Sequence, residues 1–120
     1  MKIQKTTLNQ KEVTIVNCQE ICIKDVQSAL DFMMTISYET GCRHIIVNKE
    51  AFHEDFFDLK TKIAGDILQK FVNYHFKLAI VGDFMAYQSK ALRDFMYESN
   101  KGHQLFFQPT IKDALQKITL

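Results

Sequence analysis

Leu78-Ala79-Ile80-Val81 is an unbroken apolar run that stops at Gly82-Asp83. It is too short for a helix, and with no polar residue alternating along it, it offers no face to water. It reads as a strand covered on both sides, which in a small chain means helices packed on a sheet. Ile45-Ile46-Val47 repeats the pattern, and Leu105-Phe106-Phe107, closed by Pro109, is a further strand.

Between these runs the apolar spacing changes from continuous to helical. Asp25 reads as an N-cap for a helix carrying Val26, Ala29, Leu30, Met33 and Tyr38, which Gly41 stops. A longer helix is expected from about Asp58 to Tyr74, with Leu59, Ile63, Ile67, Leu68, Phe71 and Val72 as its stripe. Gly65 lies inside it, at a cost of about 1 kcal/mol against alanine, so it is expected to mark close approach to the sheet. Ser89 caps a third helix ended by Gly102, and Thr110 with Asp113 resembles a capping box opening a last one. Ahead of all this, Ile3 to Leu8 and Glu12 to Cys18 are rich in β-branched residues and flank Asn9-Gln10-Lys11 as a hairpin without glycine. The expectation is a single α/β domain over residues 1–120, ordered β-β-α-β-α-β-α-β-α. Its sheet should be mixed and mostly parallel, with the first strand antiparallel at an edge.

Charge and cysteine content narrow the function. Fifteen basic residues against 14 acidic leave a net charge of +1, so no basic field exists to attract nucleic acid. No stretch is long and apolar enough for a membrane span, and the N-terminus lacks a leader-like apolar segment. The cysteines, Cys18, Cys22 and Cys42, are odd in number and form no C-x-x-C pair, which fits reduced thiols in a cytoplasm.

Three constellations could carry chemistry. His53, Glu54, Asp55 and Asp58 are metal-capable types at no recognised metal spacing, and the preferred reading is an acidic helix start with Asp55 or Asp58 as cap. Asp83, with Tyr87 and Asp58 nearby, sits at the carboxyl edge of a central strand, where open α/β sheets place ligands, yet Gly-Asp is also simply a turn. No G-x-G-x-x-G, Walker A or G-x-S-x-G pattern is present, and nothing implies a cofactor, a metal or a catalytic residue. Lastly, ten phenylalanines are many for 120 residues. Phe52, Phe56 and Phe57 cluster in a loop and helix start, and read either as an exposed contact patch or as a staple fixing the chain's path into the helix.

Long strings resemble the bacterial family termed domain of unknown function 4180. They are Glu54-Asp55-Phe56-Phe57-Asp58-Leu59-Lys60-Thr61, the stretch from Ala64 to Tyr74, Ala79-Ile80-Val81-Gly82-Asp83-Phe84 and Glu98-Ser99-Asn100-Lys101-Gly102. That resemblance implies a bacterial protein and no assigned activity. The order of elements also resembles that of STAS domains, the anti-sigma-factor antagonists, which imply a regulatory role through partner binding. Where those carry a phosphoacceptor serine this chain reads Asp55-Phe56-Phe57-Asp58, with Thr61 the nearest hydroxyl. The resulting expectation is a non-enzymatic regulatory or interaction domain. It would bind a protein partner or a second copy through Phe52, Glu54, Asp55, Phe56, Phe57, Asp58 and Thr61. The alternative is a small-molecule-binding domain or minor enzyme at Asp83 and Tyr87.

Overall fold

The computed structural model describes residues 1–120. Its strands are β1 (Lys2–Leu8), β2 (Lys11–Asn17), β3 (His44–Asn48), β4 (Lys77–Val81) and β5 (Leu105–Gln108). The helices are α1 (Val26–Thr40), α2 (Ile63–Asn73), α3 (Lys90–Lys101) and α4 (Ile111–Ile118). The chain order matches the expected one, in a compact α/β domain.

The sheet runs β1-β2-β3-β4-β5, antiparallel between β1 and β2 and parallel thereafter. Every crossover therefore steps in the same direction. Right-handed crossovers that never reverse put their helices on one face. The packing agrees: Ile45, Val47, Leu78, Ile80, Leu105 and Phe107 point into a core of 23 buried residues that takes in side chains of α1, α2 and α3. The alternate residues Val13, Ile46, Ala79 and Phe106 point the other way, into a core of six that α4 completes with Ala114 and Ile118. The continuous apolar runs are explained by this double cover, but the cover is unequal.

The hairpin closes without glycine because Asn9 and Gln10 both take left-handed angles, φ 54° and 64°. That is the geometry of a type I′ turn, and Asn9 is also held by a 3.1 Å hydrogen bond from its Nδ2 to Thr119 Oγ1. Asp25 caps α1 as expected, accepting from Ser28 N at 2.8 Å while Ser28 Oγ accepts from Asp25 N. Gly41, at φ 71°, ends that helix.

Two expectations fail around α2. The helix starts at Ile63, not at Asp58, because Lys62 turns left-handed at φ 64° and breaks the run. Residues Glu54–Phe57 and Leu59–Thr61 form two short 3₁₀ turns instead. Gly65 does not touch the sheet. It is exposed, and a Cβ built there would meet nothing within 4 Å. Ala64, Ile67 and Phe71 are the buried side of α2. The glycine at a close approach is Gly82, whose Cβ would lie 2.7 Å from Lys49 Cβ.

Candidate functional site

The carboxyl ends of β3 and β4 deliver Asn48-Lys49-Glu50 and Gly82-Asp83 to one edge of the sheet. The loops that follow them meet there through aromatic rings. Phe57 stacks on Tyr87 with centroids 5.1 Å apart, and it lies 5.1 Å from Phe56. Phe52 packs 4.6 Å from Phe56 on one side, and Phe84 packs 5.4 Å from Phe107 on the other. Two regions that looked separate in the sequence, Phe52–Thr61 and Asp83–Tyr87, are therefore one continuous structure.

The same packing corrects the expected contact patch. Phe52, Phe56 and Phe57 are 4%, 2% and 7% exposed and belong to the main core. They are buried because their loop lies over the open carboxyl edge instead of standing in solvent. Phe52 forms a parallel β-bridge with Ile23, and His53 N donates to Ile23 O at 2.8 Å. The 3₁₀ turn then swings both of the next rings inward. Loops usually lie outside, and only the length and pairing of this one make it a cover.

Glu54, Asp55, Asp58 and Thr61 stay exposed. Asp58 Oδ1 accepts from Lys60 N at 3.2 Å, the capping role, and Thr61 Oγ1 donates to the carbonyl of Asp55 at 2.7 Å. His53 Nδ1 accepts from Asp55 N at 3.0 Å. The same nitrogen lies 3.5 Å from the Asp55 carboxylate. No three His, Cys, Asp or Glu side chains converge as metal ligands would.

Asp83 is a turn-former: its Oδ1 accepts from Met85 N at 3.0 Å. Its carbonyl accepts from Lys49 Nζ at 3.0 Å, and the same ammonium lies 5.3 Å from the Tyr87 ring centre and 6.0 Å from that of Phe84. Burial, and then the charge of Glu50, raise the Tyr87 phenol above its ordinary value, so it remains neutral and packs. No ion pair or hydrogen bond joins Asp58 to Asp83 or Tyr87. The sheet order also lacks the reversal at which a doubly wound fold opens a crevice. Lys49, which ties this edge together, carried no signal in the sequence, since its role depends on the neighbouring strand.

The three thiols differ in access. Cys18 is buried, and burial, reinforced by a hydrogen bond with Cys22, pushes its thiol up to about 12. Cys42 is buried with its Sγ 3.7 Å from Glu12 Oε2, while Cys22 is half-buried. Because the thiolate is the reactive form, iodoacetamide on the folded protein should alkylate Cys22 first. Cys18 and Cys42 should react only after denaturation, which intact-mass analysis reads directly. Equal labelling of Cys18 and Cys22 in the native state would contradict the packing.

Residues 8–118, nearly the whole chain, match the family model described as Domain of unknown function (DUF4180). The chain belongs to that family. No curated protein and no solved structure matches it significantly. In this DUF4180 chain the features that bear on function are a singly wound sheet and a carboxyl edge packed by the ring cluster from Phe52 to Phe107.

Proposed function

We propose that the chain is a non-catalytic regulatory or protein-interaction domain of STAS-like type, working in a bacterial cytoplasm. Its contact face is the carboxyl edge, from the segment Glu54–Thr61 to the loop Gly82–Ser89. The observation that carries this is the Phe57–Tyr87 stack. It holds both loops against the core as one rigid platform with Glu54, Asp55, Asp58 and Thr61 on its outer side. The unidirectional winding of the sheet supports the likeness to STAS domains, and the unpaired thiols suit a reducing compartment. No helix is long and apolar enough to cross a membrane. With its phenylalanines buried, the face is net acidic, Glu54, Asp55 and Asp58 outnumbering Lys60, with Met85 as its one fully exposed large apolar side chain, and it suits a basic protein surface or a basic patch on a second copy.

Glu54→Lys with Asp55→Lys is the discriminating variant, since neither carboxylate caps a helix or ties a loop. The melting temperature should hardly move, surface changes costing less than about 0.5 kcal/mol each. Self-association in sedimentation, or retention of the partner co-purifying with the wild type, should be lost. Association that survives the charge reversal intact would refute this face. A small ligand at the same edge is the second reading, favoured by the hollow beside Met85.

A further inference from the structure

Beside the loop from β4 to α3 lies a cavity of about 410 Å³, lined by Phe84, Met85, Arg93, Met96, Asn100 and Phe107. Its size falls within the range of small-molecule sites. Arg93, Met96 and Asn100 are spaced i, i+3, i+7 and so form one stripe of α3 facing the end of β5. Across from them the Phe84 and Phe107 rings stand edge to face, 5.4 Å apart at 88°, making a corner of two aromatic walls.

The side-chain polar groups of this wall that remain without a partner are donors. The Asn100 amide is oriented by two bonds to its Oδ1, from Phe107 N at 2.7 Å and from Gln108 Nε2 at 3.2 Å. Its NH₂ is left with no acceptor in the chain. Arg93 is the single charged group of the lining, and it takes part in none of the chain's ion pairs. Asp94, the carboxylate next to it in sequence, is held by Lys90 at 2.7 Å. A guanidinium fork without an acceptor, an amide donor and an apolar corner together define the complementary ligand.

We propose that this cavity binds an aromatic carboxylate, its ring in the Phe84–Phe107 corner and its carboxylate on Arg93. Rings in such a corner gain offset or edge contacts, and the Met85 and Met96 thioethers adapt to the ring's outline. Met85, although it lines the cavity, is 93% exposed; in the complex its side chain closes over the ring. The guanidinium supplies the bidentate, charge-assisted contact that selects an anion. This site rests on the small-ligand reading above and shares Phe84 and Met85 with the protein-contact face, but its polar anchors Arg93 and Asn100 lie on α3, outside that face, so Arg93→Gln tests it separately from the Glu54 and Asp55 reversal.

The chain has no tryptophan, so indole emission reports on an added ligand alone. Indole-3-acetate, tryptophol and tryptamine share one ring system and differ in side-chain charge, and each is titrated against the full chain. Indole-3-acetate should bind saturably, and tryptamine at least about tenfold more weakly, the equivalent of about 1.4 kcal/mol. Arg93→Gln, an exposed position, should weaken indole-3-acetate by about tenfold or more and leave tryptophol unchanged, while Arg93→Lys should recover part of the loss. Amide shifts on binding should centre on Phe84–Tyr87 and Arg93–Asn100. The proposal is overturned if the three compounds bind alike, if none saturates or if Arg93→Gln binds as the wild type does. A second hollow is lined by Ile15, Ile46 and Ile111 among others, and amide shifts centred there instead would overturn the proposal as well.

Discussion

Replacing Phe56 and Phe57 together by serine should unfold the protein. Both rings are almost fully buried, 5.1 Å apart, in the cluster that closes the carboxyl edge of the sheet. Removing a buried phenylalanine costs about 3–5 kcal/mol in a typical core, and serine adds a hydroxyl that must be buried without an assigned partner. Two neighbouring losses do not add strictly, yet even a reduced sum rivals the roughly 5–15 kcal/mol that holds a domain folded. Far-UV circular dichroism and urea titration of the single and double variants measure this. A double variant melting with the wild type would place these rings at the surface. It would also return them to the contact patch that their loop position first suggested. For the same reason these residues are unsuited to testing the interaction face, whereas Glu54 and Asp55 are suited to it.

Alanine at Gly82 and alanine at Gly65 should change stability in opposite directions. At Gly82 the new Cβ would sit 2.7 Å from Lys49 Cβ, a carbon fixed to the backbone of the adjacent strand end. It cannot swing aside as a side-chain tip would, so β3 and β4 must part where they deliver Lys49 and Asp83. Overpacking of this kind costs about 1–3 kcal/mol, and the Lys49 to Asp83 hydrogen bond should loosen with it. At Gly65 the added methyl meets open space on an exposed helix surface. The gain there should approach the ~1 kcal/mol that separates glycine from alanine in a helix. Urea midpoints of the two variants provide the test, and a stabilised Gly82→Ala would show that the strand ends are not in contact.

The elements themselves were legible from local patterns. Leu78–Val81 and Ile45–Val47 could only be strands covered twice, and Asp25, Gly41, Ser89 and Gly102 mark helix ends through chemistry confined to one turn of chain. The hairpin was legible despite its missing glycine, since Asn9 tolerates the left-handed angle a tight turn needs. The start of α2 was not legible. Leu59 sits at helical spacing from Ile63, but the left-handed Lys62 between them reflects how the two 3₁₀ turns are tied by Asp58 and Thr61.

For the candidate site the division is sharper. The sequence alone determined which residues cluster: the carboxylates at Glu54, Asp55 and Asp58, the rings at Phe52, Phe56 and Phe57, and the turn at Asp83. Only the tertiary structure decided which of them face water. Whether a loop aromatic is core or surface depends on whether the loop crosses an open sheet edge, and that follows from the winding. Strands laid down in one direction crowd three helices onto one face and leave the sheet without the strand-order reversal that opens a central crevice. The Phe52–Thr61 loop covers the carboxyl edge. Gly65 and Gly82 show the same limit at single-residue scale: what a Cβ would meet is set across the fold, open space at Gly65 and, at Gly82, Lys49, which follows β3 thirty-odd positions away in the chain.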